Sequence, residues 1–210
     1  MGKTMKIEKF VTGIISTNCY LVSNVETHQA VIVDPAAVPK ALTEAVERDG
    51  LTVEAVLLTH GHFDHTMGLD ALLKLWDVPV YVEEEDQEIL TDPKLNLSSA
   101  YTAGFTFSGA QSVEDGQILS LAGFQFQVLH TPGHTRGGCC YYAASEQVLF
   151  SGDTLFQASV GRTDFPNSST LDLLRSIREK LLPLPDETVV YPGHMGETTI
   201  GYERDHNPYL

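Results

Sequence analysis

The chain has 210 residues, 42% of them hydrophobic, which supplies enough apolar material for one folded domain with a sizeable core and argues against an intrinsically disordered chain. Its formal net charge of -15 repels phosphate backbones and sets nucleic acid aside as a partner. Three cysteines, Cys19, Cys139 and Cys140, two of them adjacent, argue against a disulfide scaffold and for a reducing compartment.

Residues 1–11 hold no apolar run resembling a secretory signal, and Lys6 stands where a myristoylation signal after Gly2 wants Ser or Thr. No stretch approaches a membrane span, so the expectation is a cytoplasmic protein with no membrane partner. From there, short apolar runs ending in turn residues predict strands over residues 7–15, 19–23, 30–33, 55–58, 80–82, 118–121, 124–129, 138–142, 148–150 and 188–191. Helical patterns fall over 39–49, 64–75, 83–90 and 169–181, the last carrying the stripe Leu171, Leu174, Ile177, Leu181. The acidic run Glu83-Glu84-Glu85-Asp86 reads as a solvated helix start, where carboxylates favour the helix dipole. Residues 92–116 form a loop-rich stretch, after which strands followed by a helix repeat the rhythm of the first half. No linker composition marks a second domain, so residues 1–210 are expected to form a single layered α/β or α+β sandwich.

The histidines carry the chemical signal. Val56-Leu57-Leu58-Thr59 is a buried-strand run that ends in His60-Gly61-His62-Phe63-Asp64-His65. Three further apolar strands lead to Thr131-Pro132-Gly133-His134, Ser151-Gly152-Asp153 and Pro192-Gly193-His194. Strand ends of this kind are where layered α/β proteins gather their sites. Residues two apart in an extended segment share a face, which lets His60 and His62 point into one cavity. Asp64 and His65 would project from the first turn of the helix that follows, so one short segment can serve two neighbouring ions. Imidazole and carboxylate suit zinc, iron or manganese, and no cysteine belongs to the pattern. His28, His130 and His206 lie outside it and read as ordinary hydrogen-bonded histidines of the surface or the core.

His-x-His-x-Asp-His, followed by one His, one Asp and one His at strand ends, resembles the signature of the metallo-β-lactamase fold hydrolases. The resemblance runs from Asn18-Cys19-Tyr20-Leu21 through Val33-Asp34-Pro35 to Asn207-Pro208-Tyr209-Leu210. More narrowly, Thr131-Pro132-Gly133-His134-Thr135, Gly161-Arg162-Thr163-Asp164 and Thr198-Thr199-Ile200-Gly201 look like the short, single-domain branch of type II glyoxalases. The resemblance implies an αβ/βα sandwich of two mixed sheets flanked by helices, in the α+β class. It implies two divalent ions, zinc first, with iron or manganese as alternatives. One ion would take His60, His62 and His134, the other Asp64, His65 and His194, with Asp153 bridging both. The implied reaction is hydrolysis of an anionic thioester such as S-lactoylglutathione by a metal-bridging hydroxide, with Asp64 as the catalytic carboxylate.

Two departures narrow the resemblance. Longer type II glyoxalases add a C-terminal helical domain with basic contacts to glutathione, whereas 16 residues follow His194 here. Met195-Gly196 also lack the aromatic contact those enzymes place at this point. Arg162 does match a basic residue that meets a glutathione carboxylate in them, unless it is simply a surface arginine paired with Asp164. Other readings of the pattern are a persulfide dioxygenase with one iron on His60, His134 and Asp153, a lactonase with the same ligands, and a metal-braced binding module. A β-lactamase of the common zinc type wants a cysteine at the position of Asp153, and a flavin-coupled diiron reductase wants Glu in place of His62. A nuclease is set back by the acidic charge. Tyr101, Phe105 and Phe107, in the stretch 95–107, are candidates either to roof the site or to join the core.

Overall fold

The computed structural model describes residues 4–210, so Gly2 lies outside the described residues. The strands are β1 (Met5–Thr12), β2 (Thr17–Asn24), β3 (Gln29–Val33), β4 (Thr52–Leu57), β5 (Val80–Glu83), β6 (Gln111–Val113), β7 (Ile118–Leu121), β8 (Phe124–His130), β9 (Cys139–Ala143), β10 (Val148–Gly152), β11 (Leu155–Phe156), β12 (Ser159–Val160), β13 (Val189–Pro192) and β14 (Thr198–Thr199). The helices are α1 (Lys40–Arg48), α2 (Phe63–Thr66), α3 (Leu69–Leu73), α4 (Gln87–Thr91), α5 (Ser98–Tyr101), α6 (Thr170–Ser176) and α7 (Ile200–His206).

Two six-stranded sheets, ordered β1-β2-β3-β4-β5-β6 and β14-β13-β10-β9-β8-β7, pack face to face. Both are mixed. The first is antiparallel through β1-β2-β3 and parallel through β3-β4-β5-β6, and the second has one parallel pair, β10 with β13. Alternation along the strands builds three apolar layers. Tyr20 and Val22 of β2, Ala55 and Leu57 of β4, and Tyr141 of β9 point between the sheets. Cys19, Leu21 and Val56 point the other way, onto Leu42, Leu69 and Leu72 of the helices covering the first sheet. Cys140, Leu149 and Val190 do the same against Leu173, Ile177 and Ile200 on the second. Burial of each such Leu, Ile or Val side chain stabilises the sandwich by about 1.5–3 kcal/mol. The result is the expected αβ/βα sandwich. Among the described residues no helix is long and apolar enough to cross a membrane.

The differences from expectation are local. The first strand stops at Thr12, and Ile14 and Ile15 stay exposed in the turn before β2. The helix expected over 64–75 is two short helices, because the Gly68 N–H turns to the Pro35 carbonyl at the junction. Leu171 is solvent-exposed, and the buried stripe of the 169–181 segment runs instead through Leu173, Ile177 and Leu181, with its second half wound as a π-helix over Ile177–Leu181. The acidic run is not uniformly solvated: Glu84 and Glu85 face water, whereas Glu83 and Asp86 are buried. Backbone and hydroxyl donors take the place of water around Asp86, which is why that carboxylate can sit inside.

The topology explains the location of the ligand-type residues. Strands β3, β4 and β5 run parallel, and β10 and β13 run parallel in the facing sheet, so their C-terminal ends meet along one edge. The segments leaving those ends carry Asp34, His60 to His65, Asp86, Asp153 and His194.

Candidate metal centre

All seven residues of the sequence pattern converge at that edge. His60, His62 and His134 form one group with ligand atoms within 4.8 Å of one another, and Asp64, His65 and His194 form a second. His60 and His65 also group with Asp153, which lies between the two sets. Asp153 Oδ1 is 3.3 Å from His65 Nε2, and its Oδ2 is 3.5 Å from both His134 Nε2 and His194 Nε2. Asp64 Oδ2 is 3.2 Å from His194 Nε2 and 3.3 Å from His65 Nε2.

Hydrogen bonds fix which ring atom each imidazole presents. His65 Nδ1 meets Asp34 Oδ2 at 2.9 Å, and His134 Nδ1 meets the Arg162 carbonyl at 2.8 Å, so both rings donate there and turn Nε2 toward the centre. The Thr59 hydroxyl spends its proton on Asp34 Oδ2 at 2.7 Å, so it accepts from His60 Nδ1 at 3.1 Å and leaves His60 Nε2 as a lone pair. His194 Nδ1 faces the Ser16 carbonyl at 3.4 Å. His62 turns its Nδ1 inward, 3.0 Å from His134 Nε2. His60 Nε2, His65 Nε2 and Asp153 Oδ1 are buried without a hydrogen-bond partner. Buried polar atoms left unmatched are costly, and several ligand-type atoms aimed at common points fit cations. The residues present therefore fit two divalent ions.

The metal-free charge balance differs across the centre. Burial, and then the charges of His65 and the neighbouring rings, hold the His60 pKa well below its usual value. Burial lowers His62 to about 3 and lowers His134 as well. For His65 burial also opposes charge, yet Asp64, Asp34 and Asp153 outweigh it and hold the ring well above the usual value. His194 is raised in the same way, against burial, by Asp64 and Asp153. Asp153, for which burial is overcome by His65 and then His134 and His194, is drawn down to about 2.

The centre forms the floor of a cleft of about 350 Å³. Its walls are mostly apolar, with Ile15, Phe63, Leu97, Phe156, Val160 and Phe165 among them. Arg162 stands at the rim, 64% exposed, paired with Asp164 through two bonds of 2.9 and 2.7 Å and lying 4.4 Å from the Phe165 ring centroid. The surface pairing of Arg162 with Asp164 is thus present, in a residue that also lines the cleft. Of the three candidate roofing aromatics, Tyr101 lines the cleft and stacks on Phe63 at 5.0 Å, while Phe105 and Phe107 pack into the outer core of the first sheet. His28, His130 and His206 each bond a backbone carbonyl away from the centre.

Sequence reading missed the residues that hold the ligands. Asp34 joins His65 to Thr59, and the Thr17 hydroxyl donates to Asp64 Oδ2 at 3.0 Å. Asn18 Nδ2 donates to the carbonyls of Pro192 and Met195, on either side of His194. A polar residue ending a buried apolar strand, as Asp34 does, is the signal that could have found the first of these.

The sequence profile of the metallo-beta-lactamase superfamily matches residues 12–194. Among solved structures the chain is similar to BLEG-1, a B3 metallo-beta-lactamase, with 43% identity, a TM-score of 0.91, and coverage of 98% of this chain and 99% of that one. It is also similar to TTHA1623 in a di-iron-bound form, with 37% identity, a TM-score of 0.86, and coverage of 97% and 100%. Among curated proteins, the hydroxyacylglutathione hydrolase GloC of Haemophilus influenzae is 36% identical over 98% of both chains.

Proposed function

The chain belongs to the metallo-β-lactamase superfamily, and on that premise we propose that it hydrolyses thioesters, including anionic ones such as S-lactoylglutathione. One ion would be held by His60, His62 and His134, the other by Asp64, His65 and His194, with Asp153 shared between them. Zinc suits the set, and the di-iron form of TTHA1623 makes iron an alternative. Bound there, two cations lower the pKa of water toward ~7 and polarise a carbonyl oxygen. Asp64 is the catalytic carboxylate in this reading: it lines the cleft, and Thr17, His65 and His194 fix it in its ionised form.

The observation that carries the thioester reading is the poverty of proton donors in the cleft. Outside the histidine–aspartate centre, its only ionisable lining residues among the described ones are Tyr101 and Arg162. A thiolate, with a pKa of about 8.5, departs without a strong general acid, whereas an amine does not. The name of the Haemophilus influenzae relative agrees with this choice. Arg162 would leave Asp164 to meet a substrate carboxylate at the rim. A second reading, β-lactam hydrolysis, is favoured by the likeness to BLEG-1, a B3 metallo-beta-lactamase.

The test is a panel of S-lactoylglutathione, a neutral thioester and a β-lactam, run on protein of known metal content. The thioesters should exceed the β-lactam in kcat/KM by at least about tenfold. Arg162→Glu should raise KM for the anionic thioester about three- to tenfold and leave the neutral one nearly unchanged. A preference for the β-lactam would overturn the thioester reading, and equal losses on both thioesters would reduce Arg162 to its surface pair.

A further inference from the structure

Asp86 lies where β5 gives way to a short 3₁₀ turn, and no part of the reaction described above uses it. It is fully buried, with three short hydrogen bonds. Its Oδ2 accepts from the Gly61 N–H at 2.7 Å and from the Thr135 hydroxyl at 2.9 Å, and its Oδ1 accepts from the Gly137 N–H at 2.7 Å. Gly61 is the residue between His60 and His62, and Thr135 follows His134 directly. One carboxylate thus ties together the two segments that carry all three histidines of one set.

The approach is close enough to exclude side chains at both backbone donors. A Cβ on Gly137 would come within 2.4 Å of the Asp86 backbone nitrogen, and one on Gly61 within 2.9 Å of Ile89. The Glu83 carboxylate caps the same turn, accepting from the Glu85 N–H at 2.7 Å, which fixes the point from which Asp86 projects. The second set has no such link to Asp86: the His65 ring bonds Asp34, and Asn18 holds the turn around His194.

We propose that Asp86 is a positioning residue for one ion only, locking the His60–His62 segment against the His134 segment so that the three rings converge. The proposal rests on the two-ion reading of the centre. Charged acceptors hold backbone donors more firmly than neutral ones, and buried bonds of this kind set a ring position to a fraction of an ångström. Residues that orient metal ligands typically change metal affinity by about 10–100-fold when altered.

The test uses Asp86→Asn, which keeps the size of the side chain but turns an amide N–H₂ toward at least one N–H or O–H donor. Zinc-loaded wild type and variant are titrated with a chelator of known affinity, the zinc retained is measured by mass spectrometry, and circular dichroism of the metal-free proteins checks folding. Asp86→Asn should weaken one of the two zinc ions at least about tenfold while the other stays within about threefold of wild type. A defect of general stability would not separate the ions in this way. Thr135→Val removes a single bond, keeps the fold if Asp86→Asn does not, and should weaken the same ion by about threefold. Affinities of both ions unchanged from wild type in whichever variant folds, or equal losses of both, would overturn the proposal. A wild type that retains no zinc would instead overturn the two-ion reading, whatever the variants do.

Discussion

His60, His62 and His134 on one side of Asp153, and Asp64, His65 and His194 on the other, lie within a few ångströms of each other yet are held by opposite means. The first set is all imidazole, and burial keeps its rings neutral, so lone pairs would face a bound ion with little competition from protons. The second set includes the Asp64 carboxylate, and its histidines hold protons tightly when no metal is present, against the pull of burial. The means of support differ as well. On the first side Asp86 bonds the backbone and hydroxyl groups beside the rings, whereas on the second Asp34 bonds the His65 ring itself. The contrast teaches that one centre can hold two ions unequally: a neutral cage built by loop geometry, and a charged one built by ion pairing.

The largest effect should come from removing what the two sides share. Asp153→Ala should lower the retention of both ions and reduce thioester turnover on the order of 1000-fold, measured by metal analysis and steady-state kinetics on one preparation. Loss of only one ion would mean that Asp153 belongs to a single side. A smaller and one-sided effect is expected of Asp34→Asn, which takes away the carboxylate facing His65. The ion on the Asp64, His65, His194 side should weaken by about 10–100-fold while the other holds, as read by chelator titration. Weakening of both ions alike would show that the two sides are not held independently.

A separate effect, on stability rather than on metal, concerns pH. Burial raises the Asp86 carboxyl from the ordinary carboxylate range to about 6, despite its hydrogen bonds. An acid whose folded-state pKa is raised binds its proton more tightly when folded, so its stabilising contribution is full below pH ~4 and is lost as pH rises through ~6. Chelator-stripped wild type should therefore lose up to about 3 kcal/mol of stability relative to Asp86→Asn between pH 4 and 7, because the variant has no such proton to release. Denaturant melts at several pH values read the difference, and a constant gap would show that Asp86 does not titrate in this range.

Much of this was legible in the sequence, for identifiable reasons. Strands such as β4 and β10 are unbroken apolar runs, and His60, His62, Asp64 and His65 crowd into six positions where packing alone gives no reason for them. The helix α7 was not legible, because one of its two buried residues is Glu203, which accepts from Thr198, Asn207 and the Ala158 N–H; a buried charge erases the apolar period. β11 and β12 pair over two residues each, too short for any alternation to register. Asp86 was hidden by its neighbours: in a run of four acids nothing local marks the one that turns inward, since its partners Gly61, Thr135 and Gly137 are distant in sequence. Long-range pairing is the part of the site that a single chain of letters does not display.

The most direct measurement is the metal content and thioester turnover of Asp64→Asn, taken together on one sample. Asp64 belongs to the charged side alone, and the substitution keeps its size while removing its charge. The two-ion account predicts a folded protein that retains the ion of His60, His62 and His134, loses one metal equivalent, and turns over thioester at least ~100-fold more slowly. A variant that holds a single ion, as the wild type also does, and keeps nearly all of its activity would contradict the account and favour a one-iron oxygenase built on His60, His134 and Asp153.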